Sequence, residues 1–262
     1  MFNNKTQNNC KQQTANEQFE LLPCERLDDL QLDGLKIIQK IGGYGFTSDS
    51  VLLANFVKTK HSDKCVEIGT GSGIISILVN YKEKPKQITA FEIQKEPFDL
   101  AVRNFKNCKM DNTICAINDK IQNWKNHISD GEIDVVFSNP PYFKYDQNVS
   151  GQVEEKVVSR SDKFLSLSDF LQASSQMLKF GGKLFFVYDS ARFVEATNLM
   201  KTFHLAPKRV YFVHPNQGKN STVFLCEAVK GGKDSCTILP PLFTNNLDGD
   251  YVQTIQRLYK GE

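Results

Sequence analysis

The chain of 262 residues holds four histidines, one tryptophan and no C-x-x-C pair. Its seven cysteines (Cys10, Cys24, Cys65, Cys108, Cys115, Cys226 and Cys236) are odd in number and scattered. That pattern argues against a disulfide framework and against structural zinc; core thiols in a reduced cytoplasm are expected, with no resident metal. His61, His127, His204 and His214 are equally dispersed, and a surface or core role is expected for each. No apolar run approaches the roughly 18 residues of a membrane span, and the N-terminus shows no apolar signal core. Charge of one sign is also missing. With 32 basic against 30 acidic side chains the net charge is +2, too small to mark a nucleic-acid binder by itself, although a local patch stays compatible with it.

What is present reads as one α/β domain. Residues 1–18 carry nine Asn or Gln and almost nothing apolar, the composition of a disordered tail. Order is expected from residue 19 onward as a single domain: a cap and access segment over 19–62, a core over 63–229 and a packed tail over 230–262 that ends in a helix. Within the access segment "LKIIQKI" alternates like a strand, Gly42-Gly43-Tyr44-Gly45 is a turn, and Ser48 or Asp49 can cap a helix starting near Ser50. Strands then alternate with helices: strands at 64–69, 86–93, 113–119, 132–138 and 183–189, and helices at 72–81, 96–108, 166–180 and 191–203. The last helix but one is expected to stop at Gly181-Gly182. Two further strands, 208–214 and 221–229, are joined by a loop too short for a crossover helix and should pair antiparallel. Repeated βα units predict a Rossmann-like, mostly parallel seven-stranded sheet with an antiparallel final strand and helices on both faces. Ligands in such a fold sit at the carboxyl ends of the strands.

The first core strand runs into Glu67-Ile68-Gly69-Thr70-Gly71-Ser72-Gly73. Alternate glycines remove Cβ atoms where a backbone must turn tightly and let a ligand approach. A dinucleotide fingerprint would require Gly at position 74, which is Ile. An acid at position 67 suits the cationic amino-acid end of S-adenosylmethionine and sits badly beside a pyrophosphate. Glu92 ends the second core strand, where a carboxylate can take both ribose hydroxyl protons. Asp119 ends the third, within reach of an adenine amino group, and Ile93 can pack on the adenine face. Glu67, Gly69, Thr70, Gly71, Gly73, Glu92, Ile93 and Asp119, joined by Asn139, are therefore the candidate cofactor residues.

The fourth core strand stops on Asn139-Pro140-Pro141-Tyr142. Two prolines end a buried β-branched run abruptly, since neither donates to a ladder. An exocyclic adenine nitrogen is a poor nucleophile because its lone pair is delocalised. The Asn139 side-chain oxygen and the Pro140 carbonyl can accept its two N–H bonds and aim that lone pair at a sulfonium methyl. Pro141 helps fix the acceptors, and Tyr142 offers a flat surface for the ring.

"SNPPY" following "EIGTGSG" resembles the class I methyltransferases that modify planar amino or amide nitrogens. More narrowly, "ERLDDLQLDGLKIIQKIGGYGFTSDSVLLANF", "FEIQKEPFDLAVRN" and "VHPNQGKNSTVFLCEAVKGG" resemble the bacterial tRNA(Val) (adenine-37-N6) methyltransferases over about residues 20–262. The resemblance implies methylation of the adenine 3′ of the anticodon in a valine tRNA, and a contact of the protein with the anticodon loop. It brings Thr47 and Asp49 near the methionine end of the cofactor. Where the family carries Ala-Arg-His-Glu this chain has Ser159-Arg160-Ser161-Asp162, so the loop expected to contact RNA keeps its arginine and changes around it. Lys144, Arg160, Lys163, Lys208, Arg209 and Lys219 are the candidate RNA contacts, expected at or beyond the carboxyl side of the sheet. A monomer or weak dimer without membrane contact is expected. The rival substrates are an adenine or guanine of ribosomal RNA and a release-factor glutamine. A DNA adenine would need a target-recognition region longer than the gap from Tyr142 to Ser166, and a non-enzymatic RNA-binding scaffold would not need the intact clamp.

Overall fold

The computed structural model describes residues 19–42, 46–142 and 165–246. The polar tail, the candidates Lys144, Arg160 and Lys163, the Ser159–Asp162 segment and the expected C-terminal helix lie outside the described residues.

Short β-branched and aromatic runs build the centre. β3 (Lys64–Ile68), β4 (Gln87–Phe91), β5 (Ile114–Ile117), β6 (Ile133–Ser138) and β7 (Leu178–Asp189) lie parallel, in the spatial order β5-β4-β3-β6-β7. β8 (Leu205–His214) and β9 (Val223–Lys230) complete the sheet, with β9 between β7 and β8 and antiparallel to both. The seven strands and the antiparallel last one are as expected. Two-residue strands β10 (Thr237–Ile238) and β11 (Leu242–Phe243) add parallel pairing along β8.

Neighbouring residues on a strand face opposite layers, as a period of two requires. Cys65 and Phe185 pack under α1 (Ser48–Phe56), α2 (Ile74–Glu83) and α3 (Lys95–Asn107), whereas Val66 and Phe186 pack under α4 (Leu167–Met177) and α5 (Phe193–Thr202). Both layers are closed by fully buried aromatics, Phe105 and Phe137 on one side and Phe170 and Phe224 on the other. Strand order reverses between β3 and β6, so the crevice that α/β sheets offer to ligands opens at their carboxyl ends.

One element was not foreseen, and two local expectations need correction. β1 (Glu25–Asp29) pairs antiparallel with β2 (Lys36–Lys40) as a separate hairpin; four of its five residues are charged, so no apolar alternation announces it. α1 begins at Ser48 behind Thr47, whose side chain makes no capping bond. α4 ends at Met177, not at Gly181-Gly182, because Leu178 is already extended and pairs with Ile133. The register then jumps to Lys183 opposite Val135, and Gly181, with φ of +78°, turns the looped-out residues.

Candidate active site

The glycine loop leaves β3 beside the end of β6. Ile68 pairs with Ser138, and the Ser138 hydroxyl donates to the Ile68 carbonyl at 2.6 Å, which fixes the two strand ends to each other. Gly69 N–H and Thr70 N–H both donate to the Phe91 carbonyl at 2.9 Å, tying the loop to the end of β4. Gly69 and Gly71 have left-handed φ values of +74° and +56°, and a Cβ at either would meet nothing within 4 Å. Their open faces form a cradle along the loop. Gly73 serves a different purpose. Its φ is +89° and a Cβ there would fall 2.5 Å from the Phe105 ring, so the third glycine lets α2 close on α3.

Three carboxylates surround the loop, each with a distinct task. Glu67 is fully buried; its Oε2 accepts from the Thr70 hydroxyl at 2.6 Å and from the Ser76 hydroxyl, and its Oε1 has no hydrogen-bond partner. Burial pushes its carboxyl up to about 7, against the pull of those two hydroxyls. Glu92 accepts from Gly71 N–H and Gln94 N–H, each at 2.9 Å, and burial raises its carboxyl above the usual range. Asp119 lies beyond β5 and is held below the ordinary carboxylate range, chiefly by His127, whose Nε2 stands 3.0 Å from Oδ2. Its other oxygen accepts from Lys120 N–H at 2.8 Å and from the Asn123 amide at 2.7 Å. Ile93 follows Glu92 and is 39% exposed, leaving an apolar surface free for a flat group.

The end of β6 carries the second half of the site. Asn139 presents its amide to α1, where Nδ2 donates to the buried Ser50 hydroxyl at 3.3 Å. Its Oδ1 accepts from the Tyr142 hydroxyl, which also lies 3.4 Å from Asp49 Oδ2. Burial, with Asp49 nearby, keeps the Tyr142 phenol well above its usual value, so it stays a neutral donor. The Tyr142 ring stands edge-on to Tyr188, with centroids 5.6 Å apart and planes at 82°. Arg192 locks that pair from behind, donating to the Tyr142 carbonyl at 3.2 Å and to the Tyr188 hydroxyl at 2.5 Å. The motif is thus a pre-set surface and not a floppy strand end.

The structure brings together Glu67, Gly69, Thr70, Gly71, Glu92 and Asn139–Tyr142, with Asp119 one strand farther out. It adds Ser50, His127, Tyr188 and Arg192, which reach the site across 8 to 89 positions of sequence and so leave no local pattern to read. Asp49 contacts the Asn-Pro-Pro-Tyr motif directly.

Two of the basic candidates are displaced. Arg209 lies five residues before the end of β8 at His214, paired to Glu227 and stacked 5.0 Å over the Phe56 ring. Lys208 sits beside it at a register shift and donates to the Lys233 carbonyl. Neither is at the carboxyl edge. Lys219 is there, exposed in the β8–β9 loop.

Among the described residues no group of three His, Cys, Asp or Glu side chains is arranged to hold a metal ion, and no helix is long and apolar enough to cross a membrane.

A family model described as the methyltransferase small domain matches residues 45–210, the stretch that carries both the glycine loop and Asn-Pro-Pro-Tyr. Three curated tRNA1(Val) (adenine(37)-N6)-methyltransferases are similar in sequence. That of Glaesserella parasuis is 29% identical over 53% of this chain and 57% of its own length. The relative from Dyadobacter fermentans is 26% identical over 63% of this chain and 71% of its own, and that from Christiangramia forsetii 24% over 71% and 75%. In fold, a predicted O-methyltransferase from Agrobacterium tumefaciens superposes with a TM-score of 0.65 at 18% identity, covering 81% of this chain and 96% of that one. A putative transferase from Pyrococcus horikoshii gives 0.57 at 14% identity, over 79% and 72%. Matched over more than half of its length and carrying the class I methyltransferase fold, the chain belongs to the methyltransferase small domain family.

Proposed function

We propose that the protein methylates the exocyclic N6 of an adenine in tRNA, the adenine at position 37 of a valine tRNA, with S-adenosylmethionine as donor. The observation that carries this reading is the placement of Asn139-Pro140-Pro141-Tyr142 at the end of β6, hydrogen-bonded through Ser138 to the strand that delivers the glycine loop. The names of the curated relatives support the substrate.

The residues present fit the donor. The open faces of Gly69 and Gly71 admit a ligand against the loop, and Glu92 keeps a second lone pair on each oxygen for ribose hydroxyls. Glu67 brings a buried carboxyl with a partnerless oxygen to the root of the loop, and Ile93 and Asp119 flank the outer end. Bound there, S-adenosylmethionine supplies an electrophilic methyl on a sulfonium. The chain's own groups do the rest. Asn139 Oδ1 receives one bond from Tyr142 and retains a second lone pair for an amino N–H, while the Pro140 carbonyl takes the other N–H. Both bonds strengthen as positive charge grows on the nitrogen, so they lower the barrier more than they tighten substrate binding. Tyr142, held by Arg192 and Tyr188, stacks the target ring, worth about 1–3 kcal/mol once the base has left its own stack. An anticodon loop presents such a base at low cost, and a tRNA substrate sets the work in the cytoplasm.

The deciding experiment incubates the purified protein with methyl-labelled S-adenosylmethionine and unmodified bulk tRNA, then digests to nucleosides for mass spectrometry. Labelled N6-methyladenosine in tRNA is the expected result. Label absent from tRNA, with the donor still bound, overturns the substrate assignment in favour of ribosomal RNA or a protein glutamine.

A further inference from the structure

We infer that Gln39 and Asn104 are positioning residues, one hydrogen-bonded unit that fixes the glycine loop and the lead into α1 to the β1–β2 hairpin together. Both carboxamides are fully buried, and neither belongs to the cradle or the clamp. Asn104, on α3, accepts from Ile38 N–H at 2.7 Å and donates to the Ile38 carbonyl at 3.0 Å and to the Ser72 carbonyl at 2.9 Å. Gln39, on β2, donates to the Ile38 carbonyl at 3.2 Å and to the Ser72 hydroxyl at 2.8 Å, and accepts from Phe46 N–H at 3.1 Å. Backbone N–H groups only donate and carbonyls only accept, so neither amide can be flipped without setting donor against donor.

Ser72 stands between two glycines in left-handed conformation and is held at both its carbonyl and its hydroxyl. Two glycines side by side would otherwise leave this stretch the freest backbone of the loop. Phe46 leads into α1, whose Ser50 and Asp49 touch Asn139 and Tyr142. Gln39 therefore spans both halves of the site, reaching the donor cradle with its nitrogen and the clamp's support with its oxygen. Buried carboxamides stabilise no better than apolar groups of similar volume unless every bond is made, so what they contribute here is geometry. The β1–β2 hairpin, which shares no pairing with the main sheet, acquires its task in this way: it is the fixed base to which the loop is fastened.

This inference rests on the reading that the glycine loop holds S-adenosylmethionine. Its test titrates the full chain with S-adenosylhomocysteine by calorimetry, for wild type, Ser72→Ala, Gln39→Met and the double variant. Ser72→Ala removes only the acceptor that Gln39 uses on the loop and should weaken binding about tenfold, the worth of one such bond. Gln39→Met should weaken it at least as much, and the double variant no further than Gln39→Met, because both changes break the same link. Hydrogen exchange over residues 46–56 should quicken in Gln39→Met and in the double variant, which lose the Phe46 bond, and not in Ser72→Ala. Affinities within twofold of wild type, or single effects that multiply in the double variant, overturn the inference while leaving the donor assignment in place. A wild-type chain that binds no S-adenosylhomocysteine overturns the donor assignment, and this inference with it.

Discussion

Glu67→Gln should make the protein more stable at pH 8 and change it much less at pH 5. The carboxyl of Glu67 is fully buried and stands at about 7 against an ordinary value of 4.5, with burial as the main cause. A group whose folded value is raised favours the protonated form in the native state. Its contribution is complete below the unfolded value and is lost as pH rises through the folded one, here between about 4.5 and 7. At about 1.36 kcal/mol per unit, a displacement of some 2.5 units amounts to roughly 3 kcal/mol of stability that wild type loses across that window. The glutamine carries no charge to bury. Its oxygen can keep the Thr70 and Ser76 hydroxyls as donors, and its nitrogen takes the place of an oxygen that already lacks a partner. Urea unfolding of both proteins at pH 5 and pH 8, without cofactor, reads the effect as a change in the difference between them; at pH 8 it corresponds to several degrees in Tm. Equal differences at the two pH values would show that folding does not alter the charge state of this carboxyl, and the account of the site's electrostatics would fall.

Asn139→Ala should cut methyl transfer by about 10²–10³-fold with donor binding intact, the loss expected when a transition-state acceptor disappears; turnover near wild type in a single-turnover assay would sink the clamp. Gly71→Ala and Gly73→Ala should separate binding from folding. Both changes carry the strain of a left-handed φ; the first also places a methyl in the open cradle and should weaken S-adenosylhomocysteine binding in calorimetry, whereas the second also drives a methyl into the Phe105 ring and should lower Tm the more. Lys219→Glu should weaken tRNA binding in filter assays and flatten its salt dependence, while Lys208→Glu, on a residue tied to the Lys233 carbonyl, should do neither; equal effects would refute the placement of the RNA surface.

The fold was legible wherever strands were buried on both faces. "KCVEI", "IDVVF" and "LFFVYD" are mostly apolar because helices cover the sheet above and below, and their order with the intervening helices leaves few topologies. β1 was illegible since "ERLDD" buries none of its residues fully and is fixed by pairing with β2 instead of by apolar burial. The Gly181-Gly182 pair reads as a helix stop, yet tertiary pairing of Leu178 with Ile133 ends the helix earlier and spends the glycines on a bulge. In the site, the glycines and the Asn-Pro-Pro-Tyr motif were readable because backbone conformation and rigidity demand particular residue types. Arg192, Ser50, Gln39 and Asn104 were not, for their roles depend on partners 32 to 89 positions away that only the folded chain supplies. Lys208 and Arg209 show the converse error, in which composition suggested a surface that ion pairing and a carbonyl had already taken up.

The position of β9 has a consequence for how the chain must be assembled during synthesis. β9 leaves the ribosome after both of the strands it sits between, β7 and β8, and fills the slot they leave. Until residue 230 emerges, the nascent sheet has two unpaired edges facing a gap lined by Phe186, Tyr188 and Val210, and the aromatic ring of Phe224 that covers them is missing. Open edges beside apolar surface invite pairing with other chains. The nascent protein is therefore vulnerable to aggregation until β9 has emerged, and a stalled or truncated product ending near residue 222 should depend on chaperones far more than a chain that includes β9.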